Sequence, residues 1–166
     1  MYILVVDLDS TLVYTSYSKF GEAEKISNRY YNLWVSTRWD AKQMLEMARR
    51  YFKYTVVFSN SEETYIKSVL DATGLSPYIT AYYGRSSNTL SGRGYAGYLK
   101  LLTPTVCLDF NCKPESCYII DDIPEFYDRD EIDDRIAVVK PYYGQPEKKK
   151  YLIIALQKLI KKLSSR

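Results

Sequence analysis

A continuous apolar, β-branched run, Tyr2 to Val6, is followed at once by two carboxylates, Asp7 and Asp9, and then by Ser10-Thr11-Leu12-Val13. A run of this kind, apolar at every position rather than at alternate ones, suits a strand buried on both faces of a parallel sheet. Asp7 and Asp9 then emerge at its carboxyl end, the edge where open α/β sheets bind ligands.

Three further apolar runs extend the pattern. Tyr54-Thr55-Val56-Val57-Phe58 ends at Ser59-Asn60-Ser61, Cys117-Tyr118-Ile119-Ile120 ends at Asp121-Asp122, and Ile136 to Val139 gives a fourth strand. Helical segments alternate with them. Arg38 to Phe52 places Met44, Leu45, Ala48 and Phe52 on one face, and a helix with Ser61 as N-cap runs to a stop at Gly74. Strands alternating with helices specify a parallel α/β sheet, here in one domain covering residues 1–166. A chain of this length buries roughly 70% of the surface its unfolded form exposes.

The connections are read in the same way. Tyr14 to Thr37 has little helical period and is expected to form a flap or hairpin over the sheet edge, and Tyr82 to Tyr98, rich in Gly, Ser and Arg, a hairpin or ordered loop. Asp128 to Arg135 reads as a solvated, mostly acidic loop.

Composition removes whole classes of chemistry. The chain has no histidine, so Ser-His-Asp triads, Cys-His pairs and His-ligated zinc are all excluded, leaving carboxylate, hydroxyl, amine or thiol chemistry. Cys107, Cys112 and Cys117 are odd in number and evenly spaced, which fits neither a disulfide framework nor a four-ligand zinc site; free or buried thiols are expected. No stretch approaches the ~20 apolar residues of a membrane span, and Met1 leads straight into the first strand, so a cytoplasmic protein without membrane association is expected. Net charge is +3, but residues 140–166 hold eight Lys or Arg against one Glu, leaving the remainder at −4. Within that tail Leu152, Ile153, Leu156, Leu159, Ile160 and Leu163 recur at helical spacing, so the lysines are expected on the solvated face of a packed helix, with an acidic partner or nucleic acid as the alternative.

Three strand ends thus carry polar groups to one edge: Asp7 and Asp9, then Ser59, then Asp121 and Asp122. Together with Lys100, they resemble the haloacid dehalogenase-like (HAD) phosphohydrolase superfamily, whose pattern of Asp-x-Asp-x-Thr, Ser or Thr, Lys and a late acidic pair is met over nearly the whole chain. The fold this implies is a Rossmannoid three-layer α/β architecture around a central parallel sheet. Only a flap and a hairpin occupy the positions where large cap domains are inserted, implying a minimally capped, open site. Asp-Leu-Asp-Ser-Thr-Leu-Val, and Tyr83-Gly84-Arg85-Ser86 leading to Tyr98-Leu99-Lys100, look most like the small C-terminal-domain (CTD) phosphatase, or NLI-interacting-factor-like, group. Trp39, Asn60 and Leu101 depart from that group's pattern.

The resemblance implies Mg²⁺-dependent phosphomonoester hydrolysis through an aspartyl-phosphate. Asp7 is the expected nucleophile and Asp9 the general acid and base, while Ser59 and Lys100 bind the phosphoryl oxygens. Thr11 and Asn60 assist binding, Thr11 by ordering the turn. Asp7, the backbone carbonyl of Asp9 and Asp121 are the expected Mg²⁺ ligands, with Asp122 supporting them. Lys113 is read as surface. The implied substrate is a phosphorylated Ser or Thr in a protein. Polynucleotide-end or nucleotide phosphatase, small-metabolite phosphatase and a non-enzymatic phosphoprotein-binding module remain alternatives; the 18 tyrosines near basic residues motivate the nucleic-acid one.

Overall fold

In the computed structural model, residues 1–90 and 98–166 are described. The elements are β1 (Ile3–Val6), β2 (Val13–Ser16), β3 (Glu24–Ser27), β4 (Asn32–Thr37), α1 (Ala41–Ala48), β5 (Tyr54–Phe58), α2 (Glu63–Thr73) and β6 (Ala81–Tyr83). They continue with β7 (Thr89–Leu90), β8 (Tyr98–Leu99), α3 (Leu108–Phe110), β9 (Cys117–Asp121), α4 (Arg129–Ile132), β10 (Ile136–Val138) and α5 (Tyr151–Ser164).

The central sheet is parallel, in the order β10-β9-β1-β5-β6. Each residue of β1 is buried, as the unbroken apolar run requires. Alternation divides the side chains between two cores. Leu4, Val6, Val57, Tyr118 and Ile120 pack with residues of α1, α2 and α5, whereas Ile3, Val5, Val56, Phe58 and Ile119 pack with Leu102, Val106 and Ile132 on the opposite face. The expected three-layer α/β fold is therefore present. β6 is an edge strand of only three residues, too short to be read from the sequence.

The flap is a three-stranded antiparallel sheet, β2-β4-β3, whose Ile26, Leu33 and Val35 reach the core beside α2. β7 and β8 pair as the base of the expected hairpin; its tip, 91–97, lies outside the described residues. α5 buries Leu152, Ile153, Leu156 and Leu159, with Ile160 and Leu163 packed beside them, as its period predicts. Among the described residues no helix is long and apolar enough to cross a membrane.

Three local expectations are corrected. The helix expected from Arg38 to Phe52 is regular only from Ala41 to Ala48, because Arg38 and Asp40 are committed elsewhere and Phe52 is buried in the turn that follows. Ser61 does not cap α2: Glu62 holds the N-cap position without a side-chain bond, although the helix stops as expected at Gly74, whose left-handed φ of 72° ends it. The acidic segment 128–135 is not merely solvated. Asp128 caps α4, the Glu131 carboxylate accepts the Leu102 amide, and buried Arg135 donates to the Cys117 carbonyl at 2.7 Å.

Two buried polar groups lock α1 to the C-terminal region. The Asp40 carboxylate accepts the amides of Leu152 and Ile153 at 2.9 and 3.1 Å, satisfying donors that the first turn of α5 leaves free. Arg38 forms a two-pronged pair with Glu147 at 2.7 and 2.8 Å, donates to the Lys140 carbonyl at 2.7 Å, and stacks against Tyr142 and Tyr151. Removing one partner of such a pair strands the other charge in the interior. Arg38→Ala is expected to lower stability by about 3–5 kcal/mol in urea unfolding; a loss below about 1 kcal/mol, the range of exposed pairs, would show that the clamp carries no weight.

Candidate active site

Strand register assembles the site. Val6 lies opposite Val57 on one side and Ile120 on the other, so Asp7, Ser59 and Asp121 leave the sheet at one edge. The Asp7 amide donates to the Ile120 carbonyl at 3.0 Å, extending the β1–β9 ladder to the first carboxylate. Beyond Asp9 the chain turns sharply: Ser10 adopts a left-handed φ of 62°, and the Leu8 carbonyl accepts amides from the turn that follows, Leu12's at 2.9 Å.

Lys100 comes from the far end of the hairpin and is fully buried. Its Nζ lies 3.1 Å from Asp7 Oδ1 and 2.8 Å from Asp121 Oδ2, and its face packs over Phe126 and Tyr127 at 5.0 and 5.2 Å. Burial alone would discharge the amine, but Asp121 and Asp7 outweigh it and hold the ammonium protonated above the ordinary lysine range. Asp121 is pushed well above the usual carboxylate range by burial and then by Asp7, with Lys100 opposing. Thr11 Oγ1 lies within hydrogen-bonding distance of Asp7 Oδ2 (3.2 Å) and Asp122 Oδ1 (3.0 Å), so the turn threonine links the first and last acidic motifs.

Asp9 stands apart from the lysine. Tyr65 Oη donates to its Oδ1 at 2.5 Å and Ser61 Oγ to its Oδ2 at 3.1 Å. Burial pushes its pKa up to about 6; Asp7 adds to the shift, while Tyr65, Ser61 and Lys100 oppose it. Two neighbouring carboxylates thus receive different environments, one beside an ammonium and one beside hydroxyls. Ser61 and Tyr65 were missed as site residues by sequence reading; Ser61 precedes α2 and Tyr65 lies in its first turn, and no local spacing links them. Tyr65 Oη also lies 2.8 Å from Thr15 Oγ1, joining the flap to Asp9.

Ser59 is buried and its Oγ accepts the Ser61 amide at 3.0 Å. The Asn60 side chain is engaged by Asn88, and its carbonyl accepts Arg85 Nε at 3.1 Å, so this residue braces the hairpin base as well as lining the site. Lys113 is exposed. Asp7, Asp121 and Asp122 each present a carboxylate oxygen within 4.8 Å of the others. Asp122 therefore joins the acidic cluster itself. Its pKa is pushed up to about 6 by burial and by Asp7. Three carboxylates against the single charge of Lys100 leave surplus buried negative charge, and an all-oxygen donor set fits a hard divalent cation such as Mg²⁺. The cavity at these groups measures about 210 Å³ and is lined also by Asp9, Asn60, Ile123 and Phe126.

A family model for NLI interacting factor-like phosphatases matches residues 2–166. The chain belongs to that family. It is thereby placed among the HAD phosphatases, as the resemblance of its motifs implies. No curated protein matches the sequence. Among solved structures, a variant of the fission yeast RNA polymerase II CTD phosphatase Fcp1 bound to beryllium fluoride aligns with a TM-score of 0.63 and 15% identity. The alignment covers 99% of this chain and 51% of Fcp1, so the chain spans about half the length of that protein. An uncharacterized protein from Listeria monocytogenes serotype 4b aligns with a TM-score of 0.67, 15% identity and 99% coverage of both chains. A predicted phosphoglycolate phosphatase from Haemophilus somnus aligns over 74% of this chain and 57% of its own, with a TM-score of 0.52 and 15% identity. At such identities the likeness concerns the fold.

The Lys100 geometry sets a stability test with a defined sign. A carboxyl whose pKa is raised on folding binds more protons in the native state, so its penalty grows as pH rises and fades as pH falls. Removing the ammonium raises Asp121 further. Lys100→Met is expected to lower Tm strongly at pH 8 and much less at pH 5; an equal loss at both values would show that the lysine does not compensate these carboxylates.

Proposed function

We propose that residues 1–166 act as one catalytic unit that hydrolyses phosphomonoesters through an aspartyl-phosphate, with a phosphorylated serine or threonine of a protein as substrate. The reading rests above all on the division of labour between the two motif carboxylates: Asp7 is held by Lys100 beside Asp121, while Asp9 is held by hydroxyls with its pKa pushed up to about 6, and both line one cavity.

In this mechanism an Asp7 oxygen attacks phosphorus as the bond to the leaving oxygen breaks, and the proton on Asp9 passes to that oxygen. Water then attacks the phosphorus of the acyl phosphate. Asp9, now ionised, takes the water's proton; inorganic phosphate leaves and Asp7 is regenerated. Lys100 and the Ser59 hydroxyl neutralise and orient the phosphoryl oxygens, since phosphoryl transfer is governed mostly by positioning and charge. Mg²⁺, held by Asp7, Asp121, the Asp9 carbonyl and now also Asp122, would add charge stabilisation at those oxygens.

The substrate class follows from size. About 210 Å³ is below the roughly 300–1,000 Å³ of sites that enclose a whole small ligand. A cavity of this size favours a substrate whose phosphoryl group enters while its bulk stays outside, and the CTD phosphatase Fcp1 shares this fold. A panel of phosphopeptides, DNA 3′-phosphates and sugar phosphates tests the assignment: phosphopeptides are expected to give the highest kcat/KM, and a preference for either other class would replace it.

Asp7→Asn is expected to abolish hydrolysis of an aryl phosphate that wild type cleaves with Mg²⁺ and not with EDTA; residual wild-type rate in this variant would overturn the nucleophile. Because the Tyr65 hydroxyl favours ionised Asp9, its loss raises the Asp9 pKa and keeps the acid protonated to higher pH. Tyr65→Phe is therefore expected to move the alkaline limb of the pH–kcat profile upward while lowering kcat at the optimum. A downward shift, or an unmoved limb, would remove Tyr65 from control of that proton.

A further inference from the structure

All three cysteines of the chain converge at one place, although four residues lie between each and the next. Cys107 closes a wide helical turn, Thr103–Cys107, and leads into α3. Asn111, with a left-handed φ of 49°, then reverses the chain, and the Cys112 amide donates to the Cys107 carbonyl at 3.1 Å. A tight turn at Pro114–Ser116 follows, and Cys117 opens β9. The three sulfurs lie within 4.8 Å of one another as free thiols. Cys107 and Cys117 are buried, and half-buried Cys112 leaves a path from solvent.

We propose that Cys107, Cys112 and Cys117 form a Zn²⁺ site, separate from the carboxylate cluster at the sheet edge, that staples the segment following Lys100 to the strand carrying Asp121. Zinc–sulfur bonds of about 2.3 Å in tetrahedral geometry put ligand sulfurs roughly 3.8 Å apart, within the observed limit, whereas a disulfide needs contact near 2.05 Å. Thiolates select thiophilic ions and carboxylates select hard ones, so the two clusters are chemically sorted for different metals. Glu115 and Glu131 place negative charge near Cys107, which favours a cation there. The Asp109 carboxylate is engaged by the Tyr83 hydroxyl at 2.7 Å, so the fourth tetrahedral position is left to water. On binding, three S–H bonds are replaced by three S–Zn bonds and three protons pass to solvent; no oxidant or reductant takes part.

Cobalt reports the ligands directly. The full chain, reduced and stripped of metal, is titrated with Co²⁺ and then with Zn²⁺. One equivalent of Co²⁺ is expected to produce thiolate-to-cobalt charge-transfer absorption and intense visible bands, which Zn²⁺ abolishes as it raises Tm and shields the thiols from alkylation. Cys112→Ser, at the half-buried position where folding is least at risk, removes one of three protein ligands and should weaken binding by more than the ~10–100-fold that loss of an outer-shell partner costs, and Asp7→Asn should leave the bands unchanged. Absence of charge-transfer absorption in wild type, equal alkylation with and without Zn²⁺, or bands lost in Asp7→Asn would each overturn the site, as would a disulfide among these cysteines in the native protein.

Discussion

The Lys100 ammonium makes tolerable a meeting of carboxylates that the sheet imposes. It bridges Asp7, ninety-three residues away, and Asp121, twenty-one residues away, in a place where each partner alone would be a costly buried charge. The sheet brings the two carboxylates to adjacent strand ends, but their juxtaposition is repulsive until the lysine arrives from the opposite side. Folding of the hairpin base and formation of the acidic pocket are therefore energetically one event. The aromatic floor of Phe126 and Tyr127 adds a further favourable surface for the same cation.

Much of this was legible in the sequence because the signals are local. An unbroken apolar run means a doubly covered strand, and a polar residue at its end means the edge of a parallel sheet. Four strand runs, the terminal helix and the motif residues Asp7, Asp9, Ser59, Asp121 and Asp122 could all be located in this way, and family membership agrees with the resemblance those motifs carry. What stayed hidden depends on pairing across distance. β6 is three residues long and set in a polar context; the flap strands show no clean alternation, with β2 buried at one position only and β4 interrupted by half-buried ones.

Polar side chains were the other blind spot, since residue type does not fix a partner. Ser61 has the composition of a helix cap, yet its hydroxyl turns to Asp9, where a charge-assisted bond is stronger than a capping bond. Glu131 and Arg135 look like surface charge, yet both bind backbone groups of neighbouring loops. The cysteines illustrate the same limit: an even spacing of five has no meaning as a motif until one left-handed residue and two turns fold it into a triangle.

Register gives the site a particular kind of robustness. The reactive groups sit immediately after strands whose pairing is fixed residue by residue, and a slip of one position would send Asp7 to the opposite face of the sheet. The flap and the hairpin meet this edge through a few contacts, such as Thr15 with Tyr65 and Asn88 with Asn60. The chemistry is thus written into strand lengths, which tolerate no drift, while the surfaces that would touch a macromolecular substrate are written into loops, which do. Changes in the flap and the hairpin can therefore alter what surrounds this edge without moving the groups that sit on it.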